Sequence, residues 1–148
     1  MKFDITDSEH FVTLIFARFE LSTRTLVYSN AGHPAGLVLD AAGNVKARLA
    51  ETGSLLGVFP QVDFPTAPPV PLAPGDLVLF VSDGVLEAMP ADGPKFGLER
   101  TLQLVRANQH ESAQEIVDAL CNAARAYYGN TPQRDDITAV AIQIGPAI

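Results

Sequence analysis

Three carboxylates stand where apolar runs end or begin. Asp83 follows the run Leu77–Ser82 (LVLFVS) and precedes Gly84, so its carboxylate emerges where an extended run stops and the backbone turns. Asp135 and Asp136 immediately precede Ile137–Ile144 (ITAVAIQI), the other strongly apolar run. A side chain at a strand end beside a turn is held rigidly near solvent, which suits a metal ligand. If the two runs are antiparallel neighbours, the end of one lies beside the start of the other. Asp83 and Asp135 then converge although 52 positions (135 − 83) separate them. Two or three such oxygen ligands, completed by water, favour Mg2+ or Mn2+ over zinc. The bland alternative stands beside this one: Asp-Gly is a common turn dipeptide, and an Asp pair before a strand can simply end its pairing.

Other reactive side chains offer less. His33 sits in the loop Asn30-Ala31-Gly32-His33-Pro34, where a lone imidazole reads first as a structural hydrogen-bonding group. Gly32 beside it implies a backbone conformation or a close approach that a Cβ would forbid. Ser54 and Ser82 have no adjacent base and no G-x-S-x-G elbow around them, so neither reads as a nucleophile. Cys121 and the three histidines lack zinc-ligand spacing; Cys121 falls near the buried face of a helix and reads as packing. Tyr127 and Tyr128 close that helix as core and boundary.

The elements that must position the acids can be traced from the N-terminal side. Phe11–Phe19 and Arg24–Asn30 are β-branched and aromatic runs around a polar break at Ser22 and Thr23, an antiparallel hairpin. Gly36–Asp40 and Val45–Glu51 flank Ala41-Ala42-Gly43-Asn44, a second hairpin with one wet face, because Val45, Ala47 and Leu49 alternate with Lys46, Arg48 and Ala50. Phe64–Pro74 holds too many prolines for anything but an edge strand or an extended surface segment. After the Gly75-Asp76 turn, Leu77–Ser82 is apolar on both faces, the mark of a central strand. Leu98, Leu102 and Val105 make one stripe of a helix from Gly97 to Ala107. A second helix opens on the S-x-x-E capping box of Ser112 and Glu115, carries Ile116, Val117, Leu120, Ala124 and Tyr127 on one face, and stops at Gly129. About seven strands and two helices, grouped in runs, predict an α+β fold.

Composition narrows the class. The 148 residues carry 10 Lys and Arg against 17 Asp and Glu, a net charge of −7, which argues against non-specific binding to nucleic acid or anionic lipid. The acid is uneven: residues 75–148 hold five basic and ten acidic side chains, residues 1–74 five and seven. One domain is expected at this length. Apolar runs of only about seven residues fall short of the roughly 20 that span a membrane, and no secretory leader is expected. One cysteine fits a reducing, cytoplasmic setting.

Taken in order, these segments resemble the SpoIIE-like branch of the PPM (type 2C) metal-dependent protein Ser/Thr phosphatases. The matching pieces are FVTL at Phe11–Leu14, SNAGHPAG at Ser29–Gly36, GSLLGV at Gly53–Val58, PGDLVLFVSDGVLEA at Pro74–Ala88, FGLER at Phe96–Arg100 and RDDITAVAI at Arg134–Ile142. The resemblance implies a β-sandwich flanked by helices with a binuclear Mg2+/Mn2+ centre. It maps metal ligation onto Asp83 of the SDG turn and onto Asp135, with Asp136 the alternative within the same motif. It places His33 of the AGH loop, and Gly84, on the substrate side or behind the ligands. The implied reaction is hydrolysis of phosphoserine or phosphothreonine in a bacterial signalling pathway, with metal-activated water attacking phosphorus and no Ser or Cys nucleophile. The implied partner is a phosphoprotein, an anti-sigma-factor antagonist being the expected type, with a homodimer as an open assembly.

One family motif has no match. The domain ordinarily begins with G-D-x-x-G-H-G, whose Asp bridges the two metals. The acids before Asp76 are Asp4, Asp7, Glu9, Glu20, Asp40, Glu51 and Asp63, none in that context. The chain is therefore read as the C-terminal two-thirds of the domain, by truncation, by gene-model error or by decay. Two dications about 3.5–4 Å apart repel strongly without a bridging carboxylate. At most one metal, weakly held, is expected here, against two in an intact domain. The competing expectations are a catalytically inactive protein-interaction module and a single-cation domain without catalysis.

Overall fold

The computed structural model describes residues 10–61 and 63–146. They form two compact units, one from the described residues up to 35 and between 49 and 72, the other from 36–48 and 73–146. The α+β class holds, with seven strands in two antiparallel sheets and three helices rather than two among the described residues.

In the first unit, β1 (Leu14–Glu20) and β2 (Thr25–Ala31) are the anticipated hairpin, paired from Leu14↔Ala31 to Glu20↔Thr25. The strand begins three residues later than the apolar run suggests. Along β2, Leu26, Tyr28 and Asn30 point inward while the residues between them are half-buried, the period-2 signature of a pleated strand. The proline-rich segment contributes only β5 (Val70–Pro71), which pairs with β2 at the edge of the order β1-β2-β5. A chain so poor in N–H donors can occupy no interior position.

The second unit builds its sheet in the order β4-β3-β6-β7. β3 (Gly36–Leu39) and β4 (Val45–Leu49) form the other anticipated hairpin. At its tip Asp40 Oδ1 accepts the amide hydrogens of Ala42 and Asn44, both at 2.9 Å, and Gly43 takes φ 83°. β6 (Leu77–Val81) lies between β3 and β7 (Ala139–Gln143), with Leu77, Val78, Leu79 and Val81 buried, as a run apolar on both faces requires.

The third helix, α1 (Asp83–Leu86), is a single turn directly after β6, where the sequence suggests only a turn. Four residues are too few for a helical period to register. The turn nonetheless drops Val85 and, beyond it, Ala88 into the core. α2 (Gly97–Ala107) and α3 (Ala113–Tyr127) match their predicted limits. They pack Val105, Ile116, Leu120 and Ala124 against Leu37, Leu39, Leu77, Leu79 and Val81 of the sheet. The capping box is complete: Ser112 Oγ accepts from Glu115 N, and the Glu115 carboxylate accepts from Ser112 N at 2.9 Å.

The β6–β7 ladder is tied at the end away from the acids. Gly75 N donates to Ile144 O and Ile144 N to Asp76 O. The Asp76 carboxylate, 3% exposed, takes Lys46 Nζ at 2.6 Å and Ala73 N at 2.8 Å. With that end held, the opposite end of the ladder has little freedom of register.

Candidate functional site

The antiparallel pairing of β6 and β7 is the condition on which the convergence of the acids depended, and it is met. Phe80 faces Val140 and Val81 faces Ala139. One step further, Ser82 N donates to Thr138 O at 2.9 Å. Asp83 therefore leaves β6 at the rim where the chain through Asp135 and Asp136 enters β7. All three acids are exposed.

Two contacts bring the rim closer still. Ser82 Oγ donates to Asp136 O at 2.8 Å and accepts from Thr138 N at 3.0 Å. Gly84 is buried with its Cα turned to the same loop: a Cβ built there would collide with the Asp136 carbonyl and lie 3.2 Å from Asp135 O. Gly84 is thus required by a close backbone approach. Within the loop, Asp135 Oδ1 accepts from Asp136 N at 2.7 Å and Asp135 O accepts from Gln133 Nε2 at 2.8 Å. One carboxylate oxygen of Asp135 is therefore occupied in shaping its own turn.

The donor chemistry is that of a hard-cation site: carboxylates at one rim, open to water. Among the described residues none of the three is neutralised in an ion pair. However, no three His, Cys, Asp or Glu side chains among the described residues converge closely enough to enclose a metal ion. The acids form no closed cage, so a divalent ion held here would keep much of its water. Asp4, Asp7 and Glu9 lie outside the described residues.

His33 lies in the first unit. Its ring Nδ1 bonds the Pro34 carbonyl at 2.9 Å, and its backbone is held at both ends by Asn30: His33 N donates to Asn30 Oδ1, and Asn30 Nδ2 donates to His33 O. Gly32 takes φ 67° with the Leu55 side chain where its Cβ would be. Cys121 is buried, and burial pushes its thiol up, away from the thiolate a nucleophile needs. Tyr128 is core, while Tyr127 packs edge-on to Phe96 with the Arg100 guanidinium 5.1 Å from its ring centre.

Two residues carry more of the local structure than their types announced. Ser82 has no adjacent base and is no nucleophile, yet its hydroxyl ties the end of β6 to the segment that enters β7. Asn30 is wholly buried, and its amide also donates to Leu49 O at 3.0 Å, closing the loop that carries His33. A polar residue with an inward register, in a strand whose other inward residues are apolar, is the signal that marks Asn30.

Comparison with known proteins bears on the family and the fold. The family model described as "Stage II sporulation protein E (SpoIIE)" matches residues 2–145. The chain is 32% identical over 136 residues to Protein IcfG of Synechocystis sp., covering 92% of this chain and 21% of that one. It is 29% identical over 113 residues to phosphoserine phosphatase RsbU of Bacillus subtilis, covering 75% of this chain and 32% of the relative. The SiaA-PP2C domain of Pseudomonas aeruginosa superimposes with a TM-score of 0.76 at 24% identity, over 90% of this chain and 52% of that domain's chain. The chain thus spans about a fifth and a third of the two sequence relatives, and about half of that solved chain. With PP2C-type architecture and a family match across nearly its whole length, the chain belongs to the SpoIIE family of PPM-type phosphatase domains.

Proposed function

We propose that the chain is part of a single phosphatase domain that removes phosphate from phosphoserine or phosphothreonine proteins in a bacterial signalling pathway, in the cytoplasm. The observation that carries this reading is the shared rim of β6 and β7, where Asp83 meets the Asp135-Asp136 loop. Family membership supports the reaction class, and the phosphoserine phosphatase named among the relatives supports the substrate class. The expected partner is a phosphoprotein of the anti-sigma-factor-antagonist type; a solved relative joins RsbU and RsbW domains in one chain.

Asp83 and Asp135 are the residues assigned to hold Mn2+ or Mg2+, with Asp136 the alternative in the same loop. When bound, such ions make water acidic enough to supply hydroxide near neutral pH and offset the charge on phosphoryl oxygens. The chain's own part is positional. Ser82 and Gly84 set the loop against the SDG turn, and the exposed rim leaves room for a phosphorylated side chain to approach. No Ser or Cys nucleophile is needed, consistent with Ser82 Oγ being engaged on both sides and Cys121 being buried. With no three ligating side chains gathered among the described residues, the chain alone is assigned one weakly held ion and slow turnover.

The test is hydrolysis of a phosphoserine peptide with and without Mn2+. The expected result is slow, Mn2+-dependent release of phosphate that falls by about 100-fold in Asp83→Asn, about 2.7 kcal/mol of lost charge stabilisation. Metal-independent hydrolysis, or an unchanged rate in the variant, would contradict the reading.

A second reading is favoured by one observation. Phe11, Val12, Leu14 and Phe16 are each at least half exposed at or beside β1, with Phe16 at 64%. Apolar side chains so placed suit a protein-docking surface, as in a non-catalytic interaction module or a homodimer. Absence of any Mn2+ response together with self-association would favour it over the phosphatase.

A further inference from the structure

We propose that Ser82 is a positioning residue for the divalent-ion rim, acting through the Asp135-Asp136 loop; the proposal rests on the phosphatase reading above. Ser82 occupies the N-cap position of α1, where a serine side chain ordinarily accepts a hydrogen bond from its own helix. It makes no such bond. Its hydroxyl turns instead to the neighbouring strand, giving its proton to Asp136 O and a lone pair to Thr138 N.

Those two bonds straddle Ile137, so together they fix both the position of the Asp136 peptide and the direction in which the chain enters β7. The adjacent backbone bond from Ser82 N to Thr138 O sets the distance between the strands but leaves the loop beyond Thr138 free to tilt. The hydroxyl removes that tilt. On the far side of Asp83, Gly84 lies against the same Asp136 carbonyl, in a space that admits no Cβ. Asp83 is therefore flanked by two residues that hold the facing acids in place, one by a hydroxyl and the other by lacking a side chain. Partners that orient ligands in this way typically change metal affinity by about 10–100-fold when removed.

The experiment is calorimetric Mn2+ titration of the 148-residue chain and its Ser82→Ala, Ser82→Thr and Ser112→Ala variants, each checked by circular dichroism. Ser82→Ala is expected to bind Mn2+ about 10–100-fold more weakly while keeping its fold, and Ser82→Thr, which retains the hydroxyl, to restore the affinity. Ser112→Ala removes the α3 cap, next to Glu111, whose carbonyl is bonded by Gln143 at the other end of β7. It is expected to lower the melting temperature without changing affinity, which separates positioning from general loosening. Equal affinity in the parent and Ser82→Ala, or a Ser82→Ala chain that does not fold, overturns the proposal and leaves the phosphatase reading standing. A parent chain that binds no Mn2+ overturns both.

Discussion

Aspartates do three different jobs in this chain, and burial with local donors separates them. Asp76 is buried and answered by Lys46 and a backbone amide, so it is structural. Asp40 is exposed but its carboxylate closes a hairpin tip. The Asn44 amide hydrogen, then the Asn44 side chain, hold its pKa below the ordinary carboxylate value. A carboxyl group whose folded pKa is depressed adds stability above its unfolded pKa, and that contribution is lost as pH falls through the folded value. The parent is therefore expected to lose melting temperature faster than Asp40→Asn below about pH 4, with the two profiles parallel above it. Thermal melts from acid to neutral pH check this, and parallel profiles throughout would contradict it. Asp83, Asp135 and Asp136 fit neither pattern: exposed, unpaired among the described residues, and set along the one rim where β6 ends and β7 begins. The positions of the acids were legible in the sequence because strand-end Asp-Gly and Asp-Asp are visible as letters. The cross-strand bond of Ser82 was not, since nothing in a single strand's letters says which neighbour its hydroxyl will reach.

Element boundaries were legible in proportion to the strength of their local signals. α3 was readable at both ends because the capping box and the stop at Gly129, which takes φ 58°, are both short-range. That cap predicts its own test: Ser112→Ala is expected to lose about 1 kcal/mol of unfolding free energy in a urea titration. A loss within error of zero would mean that packing of Ile116, Leu120 and Ala124 alone sets the helix. The strands were less sharply bounded. The run Ile137–Ile144 is wholly consistent with strand, yet β7 begins at Ala139; Thr138 before it is bonded to Ser82, which lies just past the end of β6. α1 leaves no signal in the sequence: a single turn has no period, and its Val85 becomes core only through tertiary packing.

At the scale of the molecule, the order of the motifs carried the family while the completeness of the metal site stayed out of reach. Pairing of LVLFV with AVAIQ could be anticipated from two runs of matching character, and it puts Asp83 beside the Asp135-Asp136 loop. Whether carboxyl groups close around an ion depends on side-chain directions that no spacing encodes. Among the described residues they do not gather as a set of three. In the proposed reading, divalent cations collect at this one rim of an acidic chain whose net charge is −7. The most direct measurement is Mn2+-induced broadening of backbone amide signals by NMR, since a paramagnetic ion marks its own position without requiring turnover. Broadening is predicted for Asp83, Gly84, Asp135, Asp136 and Ile137, with Glu111 and Ser112 at the far end of β7 left sharp. Broadening centred on any other acids, or spread evenly over the chain, would contradict the account.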